Sequence, residues 1–465
     1  MDFEPRAIAA FRYAALHYDL AAGTARWEFE LRDARGVVVE SFTERVAFEP
    51  PPGPVDHDLD AQIERVLAVL GGVIGLSYYK AAAPDRVELA APGLTDAAVD
   101  YLALVLREGL AEFAYRAGLP APLEPRLVRV AAGVPAPEMR PATTPEGAPL
   151  VPIGGGKDSA VSVESLRAAG LAPVQFAVNP NAIIERVAAA SGLPLLRARR
   201  TLDPRLLELN ARGALNGHVP VTAMNTLLAL VQARLHGLGP VVMSNESSAS
   251  DPTLDWNGHP VNHQWSKSLE AERALAAMLE PQAGLRGATF SLLRPFSELR
   301  IAAGFARIPP DPAAGPGAAP RYDHAIVSCN RAFRLAGAEP SWCGECDKCR
   351  FVFLALAPWM DRARLVGIVG HDLFADPSQV PGFRALLGLA EHKPFECVGE
   401  EAESSVALTL ASRRPDWADS PVVRELLAAA PEFATGDAAL EERILGESEA
   451  LPVPPRYEEA RRALV

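Results

Sequence analysis

Two periodicities organise the first part of the chain. Residues 25–31 and 37–46 alternate apolar and polar side chains, and this period of two predicts antiparallel strands. Residues 61–75 and 97–117 instead repeat apolar positions at helical spacing and predict helices. Residues 1–134 are therefore expected to form an α+β domain, and no motif within them assigns it a role.

Prolines mark the change from this first region to the next. Residues 135–149 contain five of them and predict a stiff linker. From residue 150, short β-branched runs alternate with helical stretches, which predicts a doubly wound parallel sheet with helices on both faces over residues 150–308. Residues 309–465 are expected to form a helical C-terminal region. The predicted strands of the parallel sheet are 151–153, Val174–Val178, 195–198 and Val241–Met243.

A glycine-rich turn follows the first of these strands. The run GGGKDS begins at Gly154, and the helical pattern after it ends at Gly170. A strand, a glycine turn and a helix place backbone N–H groups and the positive end of a helix dipole around one point, which favours a phosphate. Lys157 adds a positive charge, and Asp158 offers oxygen ligands to Mg²⁺. The alternative is a loop that only turns a strand into a helix.

The spacing of this run separates it from two common phosphate-binding motifs. It lacks the four residues between glycine and GK of a Walker A loop, and it is not G-x-G-x-x-G. The run resembles the S-G-G-x-D-S signature of the PP-loop ATP pyrophosphatases, a superfamily that includes GMP synthetase and NAD synthetase, with Gly154 in place of the leading serine. The resemblance implies a PP-loop, adenine nucleotide hydrolase-like domain that cleaves ATP between its α- and β-phosphates. The implied nucleotide-binding residues are Gly154, Gly155, Gly156, Lys157, Asp158, Ser159 and Asn179.

Four of the five cysteines lie close together in the sequence. Cys343, Cys346 and Cys349 form two overlapping C-x-x-C steps, and Cys329 lies a short distance upstream. Four thiolates supply the closed tetrahedral shell of a structural Zn²⁺ site, which would staple the C-terminal region and perform no chemistry. Reduced, unliganded thiols or a redox pair are the alternatives.

Polar residues follow two of the predicted strands and fill the loops between elements. Their position beyond buried strands predicts ligand contacts, although Asn and Ser are also common in ordinary turns. His218 is a candidate catalytic residue, with a simple loop histidine as the alternative. The candidate substrate-binding residues are Ser244, Asn245, Glu246, His263, Lys267 and Arg294.

Composition narrows the class of protein. A chain of 465 residues with 49% hydrophobic and 22% charged residues is globular and is expected to form two or three domains. The net charge of −13 weighs against a nucleic-acid partner, because such binding depends on basic patches. No signal peptide is visible, and the apolar run over residues 66–79 is too short to span a bilayer. We therefore expect a cytoplasmic protein with neither a nucleic-acid nor a membrane partner.

Eight short strings carry a further resemblance. They are GGGKDS from Gly154, AVNPNA from Ala177, NGHVPVTAMN from Asn216, MSNE from Met243, VNHQWSK from Val261, RPFSEL from Arg294, CGECDKCRFVFLALAP from Cys343 and HKPFECVGE from His392. Together they resemble one family, the ATP-dependent UDP-N-acetylmuramoyl-L-alanyl-L-glutamate epimerases. The similarity is extensive over residues 150–400, and over the N-terminal region it concerns only length and texture.

The resemblance implies an isomerase of peptidoglycan synthesis and therefore a role in cell wall biogenesis and cell shape. Its substrate would be the UDP-muramoyl dipeptide, whose terminal L-Glu is inverted to D-Glu with ATP and Mg²⁺. The chemistry is consistent with this, because converting the carboxylate to an adenylate makes the α-proton removable as an enolate. Another PP-loop enzyme, such as a deazapurine or tRNA-modifying ligase or thiolase, and a non-catalytic ATP-binding regulator are the alternatives.

Inversion requires groups that remove and deliver the α-proton. Cys397 is the one cysteine outside the four-cysteine cluster, and it is a candidate base if His392 or Lys393 lowers its pKa. A small buried hydrophobic residue is the alternative role. Lys157, Asp158, His218 and Cys397 are thus the candidate catalytic residues.

Overall fold

The protein contains one large mixed sheet. The computed structural model describes residues 2–130, 135–315, 317–333, 341–390 and 398–465. Its strand order is β12-β9-β6-β7-β8-β3-β2-β1-β4-β5, and β10 and β11 form a separate hairpin. The strands are β1 (Ile8–Asp19), β2 (Thr24–Asp33), β3 (Val38–Phe48), β4 (Arg86–Leu89), β5 (Arg126–Arg129), β6 (Leu150–Pro152), β7 (Val174–Val178), β8 (Leu195–Thr201), β9 (Val241–Met243), β10 (Leu254–Trp256), β11 (His259–Val261) and β12 (Thr289–Ser291).

The two halves of this sheet differ in strand direction. β6 to β9 and β12 are parallel to their neighbours within that half, whereas β1, β2 and β3 form an antiparallel meander. The halves join where β3 pairs antiparallel with β8, from Arg45 opposite Thr201 to Phe48 opposite Ala198. The N-terminal strands thus extend the sheet that carries the glycine loop.

Helices surround the sheet and form most of the C-terminal region. Those of the first 310 residues are α1 (His57–Ile74), α2 (Leu76–Tyr79), α3 (Asp96–Gly109), α4 (Ala111–Arg116), α5 (Lys157–Ala168), α6 (Ala182–Ser191), α7 (Arg205–Ala211), α8 (Val221–Leu235), α9 (Leu269–Ala283) and α10 (Glu298–Ala306). Those that follow are α11 (Asp347–Leu356), α12 (Arg362–Val369), α13 (Val380–Leu386), α14 (Glu401–Ser412), α15 (Pro421–Ala429), α16 (Glu432–Thr435), α17 (Ala438–Leu445) and α18 (Glu458–Arg462). Among the described helices, none is long and apolar enough to cross a membrane.

Successive residues of the parallel strands face opposite hydrophobic cores. Leu150 and Val241 pack into the core that contains α1 and α8. Val151 and Val242 turn to the other face, where they pack against α5. Helices therefore cover both faces of the parallel half, as the alternation of strands and helices predicted.

The N-terminal elements follow their sequence periodicity. Trp27, Phe29 and Leu31 of β2 are fully buried, because the period of two directs every second side chain to the same core. The α1 helix begins where the Asp56 side chain accepts a hydrogen bond from the Leu59 amide at 2.8 Å. The predicted strands and helices of this region are confirmed.

The C-terminal helices pack around a group of aromatic rings. Phe353, Phe374 and Trp417 meet edge to face, with centroid distances of 5.1, 5.5 and 5.6 Å. The Trp417 indole also donates to the Ala357 carbonyl at 2.8 Å, so its buried N–H is satisfied. The predicted helical character of this region is confirmed, whereas the predicted domain boundaries stay a prediction.

Candidate functional site

A polar cleft of about 320 Å³ lies at the carboxyl ends of β6 and β9. The chain runs from β6 outward through β7 and β8 and then returns to the opposite side of β6 as β9. Such a reversal of strand order is where α/β sheets bind ligands. The cleft is lined by Pro152, Ile153, Gly154, Gly156, Asp158, Ser159, Thr222, Asn225, Met243, Ser244, Asn245, Glu246, Lys267, Val327, Ser328, Asn330 and Lys348.

The three glycines in the loop after β6 differ in how strongly its geometry requires them, and Gly155 is the most constrained. Gly155 has φ of +85°, and a Cβ there would lie 2.7 Å from Ile183 Cγ2. A Cβ on Gly156 would lie 2.8 Å from Ser328 Oγ. Gly154 differs, because its Cβ would meet no atom within 4 Å among the described residues. A serine at position 154, as in the superfamily signature, would therefore fit.

The first turn of α5 borders the cleft. Its N-cap is Gly156, and no side chain of the described residues caps it. Asp158 and Ser159 of this turn line the cleft. An uncapped helix N-terminus at the end of a glycine loop is suited to an anion, since its backbone N–H groups lack partners within the helix.

Lys157 lies beneath this turn and not in the wall of the cleft. Its ammonium group, 2% exposed, pairs with Asp158 at 2.5 Å and with Glu298 at the start of α10. Burial alone would lower the pKa of Lys157, but the two carboxylates outweigh burial and raise it. Lys157 is thus a charged group that holds Asp158 and Glu298 together.

Glu298 and Glu403 form the acidic part of this buried cluster. Burial would raise the pKa of Glu298, but Lys157 and Lys348 lower it to about 2. Glu403 accepts from the Glu298 amide at 2.8 Å, and burial together with the charge of Glu298 raises its pKa to about 7. Burial and Glu298 also raise the pKa of Asp158. Of these three carboxylates, Asp158 is the one that lines the cleft.

The residues that follow β9 lie at the cleft, and their predicted role in substrate binding stays a prediction. Ser244, Asn245 and Glu246 all line it, and the Asn245 amide donates to Ser291 Oγ at 2.6 Å. Arg294 lies behind them with 1% of its side chain exposed, bound to Glu272 at 3.0 Å and to the carbonyl of Glu246. Arg294 therefore supports the wall of the cleft from behind.

Three further predicted residues, Asn179, His218 and His263, are not among those that line the cleft. Asn179, with φ of +46°, donates from its side chain to the Arg200 carbonyl at 2.8 Å and accepts from the Arg200 amide at 2.9 Å, so it ties β7 to β8. His218 and His263 stand together with Glu112 of α4, and His263 Nδ1 is 2.5 Å from Glu112 Oε2. In contrast, Lys267 from the same loop as His263 lines the cleft.

The four predicted cysteines come together beside the cleft. Their sulfur atoms all lie within 4.8 Å of one another, with separations of 3.9 Å for Cys329 and Cys346, 3.8 Å for Cys343 and Cys349, and 3.5 Å for Cys346 and Cys349. Tetrahedral Zn²⁺ with bonds of about 2.3 Å places its sulfur ligands about 3.8 Å apart. The cluster therefore has the spacing of a four-thiolate metal site.

This cluster also shapes the opposite wall of the cleft. Ser328 and Asn330 flank Cys329, and Lys348 precedes Cys349, and all three of these polar residues line the cleft. Lys348 Nζ also lies 3.5 Å from Glu298. The cysteines thus fix side chains that face the glycine loop. Cys397, the predicted base, lies outside the described residues.

Sequence reasoning missed three carboxylates that the fold makes important: Glu112, Glu298 and Glu403. Glu298 lies four residues after Arg294, within the string RPFSEL that contributes to the family resemblance, so a weak signal existed. Glu112 and Glu403 occur in helices without any motif. Their burial comes from distant partners, which a local pattern does not reveal.

The fold and the cleft define an α/β protein with a loop-lined site at the switch point of its parallel strands. The family model of the MurL N-terminal domain matches residues 2–292, and that of the MurL C-terminal domain matches residues 325–441. The chain belongs to the MurL family.

Three curated relatives are similar over nearly the whole chain, and each is named UDP-N-acetyl-alpha-D-muramoyl-L-alanyl-L-glutamate epimerase. The protein from Salinispora tropica is 50% identical over 93% of this chain and 92% of the relative. That from Micromonospora sp. is 49% identical over 98% of both chains. That from Xanthomonas oryzae pv. oryzae is 36% identical over 99% of this chain and 98% of the relative. No solved structure gave a significant match.

Proposed function

We propose that this chain is an ATP-dependent epimerase that inverts the terminal L-Glu of UDP-N-acetylmuramoyl-L-alanyl-L-glutamate to D-Glu. The observation that carries the proposal is the identity of 49–50% with two relatives of that name over nearly their full length. It favours this reaction over a deazapurine or tRNA-modifying activity and over a non-catalytic regulator.

The cleft supports ATP as the second substrate. The glycine loop and the uncapped first turn of α5 offer backbone donors to phosphate oxygens. Asp158 and Glu246 present carboxylates at the same cleft, and these would hold Mg²⁺, which would neutralise the phosphates. Lys267 and Lys348 line the cleft as further positive charges for an anionic ligand.

The reaction follows from the acidity of the α-proton. A carboxylate oxygen of the substrate attacks the α-phosphorus of ATP, and pyrophosphate leaves. The resulting acyl-adenylate loses its α-proton to a base as an enolate, and a proton is delivered to the opposite face. Attack of water on the acyl carbon then returns the carboxylate and releases AMP.

A structural Zn²⁺ completes the proposed assembly. Cys329, Cys343, Cys346 and Cys349 would hold it as a closed thiolate shell with no open position. The metal would therefore fix Ser328 and Lys348 in the cleft wall and take no part in proton transfer.

Product analysis tests the proposal directly. With ATP and Mg²⁺, the enzyme should release AMP and pyrophosphate only when the L-Glu-terminated UDP-muramoyl dipeptide is present. In D₂O the product should carry deuterium at the glutamyl α-carbon. Asp158→Asn should abolish turnover, whereas Asp58→Asn, an exposed change in α1, should leave it intact. ADP as the sole nucleotide product would contradict the adenylation mechanism, and full activity of Asp158→Asn would contradict the assigned nucleotide site.

A further inference from the structure

A serine from the opposite wall of the cleft stands against the glycine loop. Ser328 lines the cleft, and a Cβ on Gly156 would lie 2.8 Å from Ser328 Oγ. Gly156 is the N-cap of α5, so the Ser328 hydroxyl stands beside the first turn of that helix. A hydroxyl donor therefore adjoins the backbone N–H groups that an α-helix leaves unbonded at its N-terminus.

The Ser328 hydroxyl differs from the other two serine hydroxyls of the cleft. Ser159 Oγ donates to the Gly156 carbonyl at 3.4 Å, and Ser244 Oγ donates to Ser162 Oγ at 2.7 Å. Within the described part of the chain, the half-buried Ser328 has no hydrogen-bond partner for its hydroxyl. Of the three hydroxyls, that of Ser328 is therefore the one left to bind a ligand in the cleft.

Two contacts fix the position of Ser328. On one side, the Val327 amide donates to the Gly155 carbonyl at 3.1 Å and ties this segment to the glycine loop. On the other side, Cys329 is fully buried, and its sulfur lies 3.9 Å from that of Cys346. The Ser328 backbone is thus held between the glycine loop and the cysteine cluster, so binding a ligand costs this residue little conformational freedom.

The loop itself lacks a hydroxyl where the signature that it resembles has one. Gly154 stands at the position of the leading serine, and among the described residues no atom lies within 4 Å of the place of its Cβ. The Cα atoms of Gly154 and Gly156 are at most about 7 Å apart. One phosphate group with a hydrogen bond of about 2.8 Å on each side spans that distance. A hydroxyl at position 154 and the Ser328 hydroxyl can therefore serve the same phosphate.

We infer that Ser328 donates to a phosphate group of ATP the hydroxyl hydrogen bond that a serine at position 154 would otherwise supply. The inference rests on the ATP site of the proposed function. It adds a nucleotide-binding residue to that site, and it gives the cysteine cluster a part in ATP binding, because Cys329 directly follows Ser328.

Equilibrium binding of α,β-methylene-ATP with Mg²⁺ tests the inference, because this analogue cannot be cleaved between its α- and β-phosphates. Ser328→Ala should weaken binding about 10–100-fold, the effect of losing one hydrogen bond to a charged group. Ser378→Ala is the control, because Ser378 is exposed between α12 and α13 and does not line the cleft. Equal binding by Ser328→Ala and Ser378→Ala would overturn the inference.

A hydroxyl restored at position 154 separates this role from a structural one. Gly154→Ser added to Ser328→Ala should recover most of the lost affinity, because the new hydroxyl reaches the same phosphate. Gly154→Ala in the same background is the matched control, since it adds the Cβ without the hydroxyl, and it should recover none. Equal affinities of these two double variants would overturn the inference.

Metal content and AMP release identify the cause of a failure. Ser328→Ala should keep the Zn²⁺ content of the parent, because the four cysteines supply the metal ligands. Loss of both Zn²⁺ and nucleotide binding, without recovery by Gly154→Ser, would show that Ser328 only supports the cluster and would overturn the inference. Failure of the proposed epimerisation has a different signature. The parent would then bind the analogue through Ser328 but release no AMP from ATP when the UDP-muramoyl dipeptide is added.

Discussion

Replacing Glu298 with glutamine removes the carboxylate that the buried Lys157 shares with Lys348 of the cleft wall. Glu298 is 3% exposed and Lys157 is 2% exposed, so water cannot solvate the Lys157 ammonium group in place of the lost carboxylate. Removing one member of a buried ion pair costs about 3–5 kcal/mol. Because Asp158 remains 2.5 Å from Lys157, we expect the lower end, about 3 kcal/mol at pH 7. The lowered pKa of Glu298 also means that its carboxylate stabilises the folded protein. This stabilisation is present above the ordinary pKa of 4.5 and is lost as the pH falls toward 2.

Urea unfolding at pH 7 measures this loss. Glu441→Gln is the matched control, because Glu441 pairs with Arg413 at 3.0 Å while their side chains are 27% and 46% exposed. That exposed pair should contribute less than about 1 kcal/mol. If Glu298→Gln and Glu441→Gln lower the free energy of unfolding by the same amount, the buried cluster does not hold the cleft together as described.

Three other predictions follow from the loop, the cysteines and Glu403. In thermal unfolding, Gly154→Ser should be as stable as the parent, whereas Gly155→Ser should lose about 1–3 kcal/mol of unfolding free energy, because Gly155 has positive φ and Gly154 does not. Equal stabilities of the two variants would contradict the loop geometry. Metal analysis should find one Zn²⁺ per chain, absent from Cys349→Ser and retained in Cys397→Ser; metal retained by Cys349→Ser would refute the site. The raised pKa of Glu403 implies a stabilising contribution that is present below pH 4.5 and is lost as the pH rises through about 7. In urea unfolding between pH 5 and 8, the free energy of unfolding should therefore fall with pH in the parent, and Glu403→Gln should remove that fall. An unchanged pH dependence in Glu403→Gln would contradict the assignment.

Local patterns predicted the parallel half of the sheet closely. Val174–Val178 and Val241–Met243 are observed with the predicted bounds, because short β-branched runs between polar turns fit buried parallel strands. The roles of the residues that follow β6 and β9 stay a prediction, but eight of the predicted site residues line the cleft. These are Gly154, Gly156, Asp158, Ser159, Ser244, Asn245, Glu246 and Lys267.

Long-range contacts explain what the sequence did not predict. The junction of β3 with β8 joins strands about 150 residues apart, and no local signal specifies that pairing. The same is true of Glu112, whose importance depends on two histidines more than 100 residues away. Asn179 was predicted to bind the nucleotide and Arg294 the substrate, but the structure directs both side chains to backbone carbonyls.

The junction of β3 and β8 makes the proline-rich segment a poor place to shorten the chain. A fragment that starts at residue 135 would keep the glycine loop and the cysteines but would turn β8 into an exposed edge. Its unpaired backbone groups from Ala198 to Thr201 would be a template for strand addition by other copies. Aggregation of such a fragment would therefore result from the loss of β3 as the partner of β8. In the intact chain the N-terminal strands cover this edge and prevent strand addition.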